Sequence, residues 1–181
     1  MEIALVRHGQ TDYNRDSRLQ GSSDIALNAT GLEQARTAAR LLADDHWDAV
    51  VSSPLRRAAV TADIIAEELG IEVLGRYPGL VERDYGAAEG LTKEQAIERF
   101  GDTWPGQESY EDLQRRAVAT IEDIADAHAV AGLVIVAHGT LIRAFTDHVT
   151  GIATDTPDNA HSVRLSGGRG AWEVVDGLLL R

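Results

Sequence analysis

Apolar residues fall into two rhythms along the chain. Short runs rich in β-branched residues occur at Ile3–Val6, Ala49–Ser52 and Leu133–Ala137. The last is the most apolar, the pattern of a strand buried on both faces. Val163–Leu165 and Trp172–Val175 read as later strands, with Gly167-Gly168 supplying the turn between them. Between these runs the apolar positions recur every three or four residues. Leu32, Ala35, Ala39 and Leu42 form one such stripe behind a capping Asn28. Ser53-Pro54 reads as an N-cap with proline in the first helical position, opening a helix that runs to Leu69 and stops at Gly70. Further helices are predicted over Thr92–Phe100, Tyr110–Ala127 and from Gly139 to about Val149.

Strands alternating with helices imply an α/β fold whose central sheet is mostly parallel and covered on both faces. No repeat, low-complexity tract or linker interrupts the pattern, so residues 1–181 are expected to form a single domain. In such sheets ligands sit beyond the carboxyl ends of the strands.

Composition narrows the field. There is no cysteine, which removes disulfides and thiolate metal sites from consideration. No basic leader and no apolar run near the ~20 residues of a spanning helix is present, and a cytoplasmic location is expected. The net charge of −12 argues against nucleic acid and against an anionic membrane as partners. A local arginine cluster can still attract a small anion.

Such a cluster is visible. The first strand runs directly into Arg7-His8-Gly9, and Leu133–Ala137 runs directly into His138-Gly139. The second strand ends at Ser52-Ser53-Pro54-Leu55-Arg56, which brings a guanidinium to a helix start. Two histidines and two arginines, Arg7 and Arg56, thus meet at one sheet edge. Arginine matches phosphate oxygens with a planar fork of donors, and a helix N-terminus adds backbone N–H groups. Neutral imidazole is a competent nucleophile. The remaining requirement is a proton donor for the leaving oxygen, and Glu82 is the best candidate. His46, His128, His148 and His161 read as surface or packing residues. No pair of histidines has metal-ligand spacing on one helix, so neither a metal nor another cofactor is expected.

Taken together, these pieces resemble the histidine phosphatase superfamily, also called phosphoglycerate-mutase-like. The resemblance begins at Leu5-Val6-Arg7-His8-Gly9-Gln10-Thr11-Asp12-Tyr13-Asn14 and continues through Leu19-Gln20-Gly21 and Gly31-Leu32-Glu33-Gln34-Ala35. It resumes at Ser52-Ser53-Pro54-Leu55-Arg56-Arg57-Ala58, Glu82-Arg83-Asp84-Tyr85-Gly86 and Pro105-Gly106-Gln107-Glu108-Ser109, and closes at Val136-Ala137-His138-Gly139. The resemblance implies a three-layer α/β/α sandwich. It implies that His8 becomes phosphorylated, that Arg7, Arg56 and His138 complete the phosphate pocket, and that Glu82 serves as acid and then base. It also implies substrate or phosphate contacts from Asn14, Gln20, Gly21, Arg83, Tyr85 and the Gly139 amide.

Family members with mutase activity carry a long insertion after the glutamate motif; here only Thr92–Trp104 separates it from Pro105. A short cover is less able to keep water from a phosphoenzyme. The expected function is therefore hydrolysis of a small phosphorylated metabolite. The alternatives are a cofactor-dependent phosphoglycerate mutase and a non-catalytic adaptor for phosphorylated ligands; association as a homodimer stays open.

Overall fold

The computed structural model describes residues 1–177. The chain runs β1 (Glu2–Arg7), α1 (Asp12–Arg15), α2 (Ala29–Leu42), β2 (Ala49–Ser52), α3 (Arg56–Leu69) and β3 (Glu72–Arg76). It continues through α4 (Lys93–Phe100), α5 (Tyr110–Ala127), β4 (Gly132–Ala137), α6 (Gly139–Thr150), β5 (Ser162–Ser166) and β6 (Glu173–Asp176). The strands form one sheet in the order β3-β2-β4-β1-β5-β6. The pairs β2–β3, β2–β4 and β1–β4 are parallel, whereas β5 is antiparallel to β1 and β6 to β5. The sheet is mostly parallel, as expected.

The continuous apolar runs follow from helices packing on both faces. Ile3, Leu5, Leu133 and Ile135 meet Leu113 and Ile121 of α5 and Leu141 and Phe145 of α6. Their neighbours Ala4, Val6, Val134 and Val136 point the other way, against Ala39 of α2 and Ala62 and Ile65 of α3. Successive side chains of a strand alternate faces, so the central positions of β1, Ile3 to Val6, and all of β4 must be apolar to separate two buried layers.

Two elements depart from expectation. β3 is an edge strand that alternates exposed and half-buried residues and contains Gly75, so it carries no apolar run. The predicted N-cap at Ser53 is displaced: α3 begins at Arg56, and Leu55 occupies its cap with no side-chain bond. The Ser53 hydroxyl accepts from the Leu55 N–H at 3.3 Å and contacts His138 instead. The predicted stop holds, with Gly70 left-handed at φ 66°.

Candidate active site

The register of the sheet builds the centre. β1 and β4 pair with Arg7 opposite Ala137, so the next residues, His8 and His138, leave the sheet side by side. The His8 N–H donates to the Ala137 carbonyl at 3.0 Å. The two imidazoles stand edge to face with centroids 5.2 Å apart, and both are buried.

The His8 ring is oriented by its own loop. Nδ1 lies 2.7 Å from the Gly9 carbonyl, an acceptor only, so Nδ1 carries the proton and Nε2 keeps a free lone pair. Burial lowers the His8 pKa well below the usual histidine range, and Arg57 and Arg7 lower it further by like-charge repulsion. The neutral, nucleophilic form is therefore favoured. Gly9 has no room for a side chain, because a Cβ there would fall 2.3 Å from the Gly31 carbonyl oxygen. Its N–H donates to Thr61 Oγ1 at 3.1 Å, tying the loop to α3.

Arg7 and Arg57 flank this histidine. Arg7 Nη1 donates to the Pro157 carbonyl at 2.8 Å. Arg57, fully buried, donates through Nη1 to the Ser23 carbonyl at 2.7 Å and through Nη2 to the Gly21 carbonyl at 2.8 Å. Those carbonyls belong to a loop pinned by Glu89, whose carboxylate accepts from the backbone N–H groups of Ser22 at 2.7 Å and Ser23 at 3.0 Å. Gly21 adopts φ 52° there. Arg18, at the exposed edge, donates to the Gly90 carbonyl at 2.7 Å. Among the described residues none of these three arginines reaches a carboxylate at ion-pair distance, unlike Arg115, Arg116, Arg164 and Arg169. Bonds to carbonyls fix the guanidinium without cancelling its charge. A chain of net charge −12 thereby keeps a cationic cleft.

Arg56 stands elsewhere. It is exposed and outside the cleft lining, and its backbone N–H donates to Asp24 Oδ1 at 2.7 Å. The structure brings Arg57, not the expected Arg56, into the cleft lining. With α3 starting at Arg56, the inward stripe is Arg57, Ala58, Thr61, Ala62 and Ile65, whereas Arg56 precedes the exposed Val60 by one turn. That stripe was the sequence signal for the right arginine. Arg83 also lies outside the lining. Its Nε donates to the Glu108 carbonyl at 2.8 Å, and its guanidinium sits 5.9 Å from the Tyr85 ring and 6.0 Å from the Tyr110 ring.

The cleft encloses about 140 Å³ and is lined by Arg7, His8, Asn14, Gln20, Gly21, Arg57, Glu82, Tyr85 and Gly139, with Arg18, Leu19, Thr140 and Thr156 besides. The last four were not singled out from the sequence. The volume lies below the ~300–1,000 Å³ of pockets that swallow a drug-sized ligand, which suits one small anionic group. Asn14 Oδ1 accepts from the Thr11 N–H and hydroxyl, both at 3.1 Å, as part of the α1 cap; its Nδ2 remains a free donor. Gln20 Oε1 accepts from the Thr11 hydroxyl at 2.9 Å. Glu82 caps α6: Oε2 accepts from the Thr140 N–H at 3.0 Å, and Oε1 from Leu141 at 3.1 Å and Arg83 at 2.8 Å. The Tyr85 hydroxyl lies 2.8 Å from Thr140 Oγ1, and burial, with Glu82 nearby, pushes the phenol pKa up to about 12. His138 is not one of the lining residues but packs edge to face against the His8 ring, with its Nε2 2.8 Å from Ser53 Oγ. Among the described residues three buried nitrogens of this group have no partner: Arg7 Nε, Arg57 Nε and His138 Nδ1.

An open imidazole nitrogen thus stands among arginines at the carboxyl edge of a mostly parallel α/β sheet, an arrangement that suits a small anionic group such as a phosphate ester. The comparisons agree. The chain belongs to the histidine phosphatase superfamily (branch 1), whose family model matches residues 3–176. It is 40% identical over 150 residues to the uncharacterized phosphatase PhoE of Bacillus subtilis, covering 82% of this chain and 77% of that protein. A 2,3-bisphosphoglycerate-dependent phosphoglycerate mutase of Methylorubrum extorquens is 34% identical over 173 residues, covering 85% and 81%. Among solved structures, a mycobacterial glucosyl-3-phosphoglycerate phosphatase complexed with VO3 superposes with a TM-score of 0.89 at 30% identity, covering 99% of each chain.

Proposed function

We propose that this chain is a cytoplasmic phosphatase that hydrolyses a small phosphomonoester through a phosphohistidine on His8, with residues 1–181 acting as one domain. The observation that carries the reading is the 2.7 Å contact from His8 Nδ1 to the Gly9 carbonyl, which leaves Nε2 as the nucleophile beside Arg7 and Arg57. Nε2 attacks phosphorus in line, the ester P–O bond breaks, and the leaving oxygen takes a proton from Glu82. Oε2 is the oxygen freer to carry that proton, since it accepts one backbone bond where Oε1 accepts two. Water then attacks the phosphohistidine, Glu82 takes its proton, and phosphate leaves with His8 neutral again. Arg7, Arg57, the Asn14 Nδ2 and the Gly139 amide surround the equatorial oxygens, where charge stabilisation matters most in phosphoryl transfer.

The relatives include both phosphatases and a mutase. Hydrolysis is favoured by the short segment that follows the glutamate motif: only α4 and its flanking turns lie between Leu91 and Pro105. The test is rapid quenching with a phosphate-labelled monoester, with and without bisphosphoglycerate. The expected result is an acid-labile, alkali-stable label that His8→Ala abolishes, and free phosphate as product without bisphosphoglycerate. Unchanged labelling in the folded His8→Ala variant overturns the nucleophile. Dependence on bisphosphoglycerate, with isomerised ester as the product, overturns hydrolysis in favour of mutase activity.

A further inference from the structure

The second histidine of the pair is held from behind. His138 and Ser53 are both wholly buried, and their Nε2 and Oγ lie 2.8 Å apart. The strand end that bears Ser53 is fixed by its own N–H, which donates to the Val136 carbonyl at 3.0 Å. Ser53 Oγ also accepts from the Leu55 N–H. Among the described residues no other hydrogen bond engages this hydroxyl, and His138 Nδ1 has no partner.

Counting protons decides which way the bond runs. If Nε2 carried the imidazole proton and donated to Ser53, the serine hydrogen would lack an acceptor and Nδ1 would be a bare lone pair in a buried site. If the serine hydroxyl donates to Nε2, both serine functions are satisfied and the imidazole proton resides on Nδ1. Only one buried donor is then left over, and buried donors are rarely left unmade. That donor belongs to a ring standing edge to face against His8. A phosphoryl group on His8 would supply the missing acceptor oxygen, whereas a bare Nδ1 would repel it.

We infer that Ser53 is a positioning residue that fixes His138 in its Nδ1–H form, so that His138 donates a hydrogen bond to the phosphoryl group in transfer. The two histidines then work as opposite tautomer roles: His8 offers a lone pair, His138 a proton donor, each set by the bond at its far nitrogen. The same backbone carbonyl that readies His8 thus has its counterpart in the Ser53 hydroxyl.

This inference rests on the phosphohistidine reading of His8, and the experiment separates the two. Nitrogen-15 NMR of the histidine side chains in the free protein reads the tautomer with no substrate present. His138 is expected with Nδ1 protonated and Nε2 bare. Ser53→Ala should shift His138 towards the Nε2–H form and slow phosphoenzyme formation about tenfold, the effect of one hydrogen bond lost from the transition state. KM should change less than kcat, and Ser53→Thr should restore the tautomer and the rate. A wild-type His138 protonated at Nε2 overturns the inference, and this arm stands even where Ser53→Ala fails to fold. An Nδ1–H form unchanged in Ser53→Ala, or a changed tautomer with an unchanged rate, overturns it equally. Failure to trap any phosphoenzyme in the wild type overturns the underlying reading instead, whatever the tautomer.

Discussion

Arg56 and Arg57 are consecutive in the first turn of α3 yet serve different surroundings: Arg57 is fully buried against the Gly21 and Ser23 carbonyls, while Arg56 stands in solvent beyond the cleft. Arg57→Ala should therefore lower kcat/KM by about 10²–10³-fold, as removal of a positioned transition-state donor does. Each carbonyl left without its donor should also cost about 1–3 kcal/mol of stability. Arg56→Ala should leave both within about twofold of wild type, since surface substitutions seldom exceed ~0.5 kcal/mol. Phosphate release beside a thermal melt checks the pair.

The pH dependence has a defined sign. Burial, then Arg57, then Arg7 lower the His8 pKa, so the neutral form persists below the ordinary histidine range. The kcat/KM profile should show no loss of His8 function as pH falls through about 6.5. Removing the Arg57 charge, as in Arg57→Met, should raise the His8 pKa and move its titration to higher pH, which NMR of the free protein would register.

Stability follows the same groups. His8 and His138 are both held neutral, chiefly by burial, while in the unfolded chain they titrate near 6.5. Below that pH the unfolded state binds more protons, so the contribution is present above about 6.5 and is lost as pH falls towards the folded values. Denaturation midpoints should decline on acidification through this window, and His138→Asn should flatten the decline.

Glu82→Gln should slow phosphoenzyme formation from an alkyl phosphate far more than from an aryl phosphate, whose phenolate leaves without a proton. Stopped-flow or quench measurement of that first step is required, because loss of the base also slows hydrolysis. Equal slowing for both substrates would move the acid role to another group.

Exhaustive dialysis against a chelator should leave the rate unchanged. Arg7, Arg57 and the start of α6 already bring positive charge to the cleft in which the phosphoryl group is proposed to bind. A loss restored by Mg²⁺ would contradict this.

Much of the site was legible because strand ends are legible. His8 and His138 follow directly on apolar runs, so sequence alone placed them at one sheet edge. Glu82 was reachable from chemistry, as the carboxylate the reaction lacked. Arg57 was missed because Ser53-Pro54 mimics a helix start, which shifts the apparent first turn, and one residue is about 100° of rotation. β3 was missed for a different reason: one side of an edge strand has no neighbour to demand apolar residues, and Gly75 breaks its pattern further. Nothing local marked Ser53 as the partner of His138, since the two are 85 positions apart and meet only through β2–β4 pairing.

The active centre also depends on a distant part of the chain. The strand that delivers the nucleophile is clasped by the far end of the chain: Arg7 donates to the Pro157 carbonyl, Asn159 Nδ2 donates to the His8 carbonyl at 2.9 Å, and the Ala160 N–H to the Arg7 carbonyl at 2.9 Å. These contacts close loops of about 150 residues, among the slowest to form because chain entropy opposes them until the rest is in place. Until residues 157–160 dock against β1, the Arg7-His8-Gly9 segment lacks these contacts. Assembly of the centre is thereby tied to a long-range step of folding rather than to the local turn after β1.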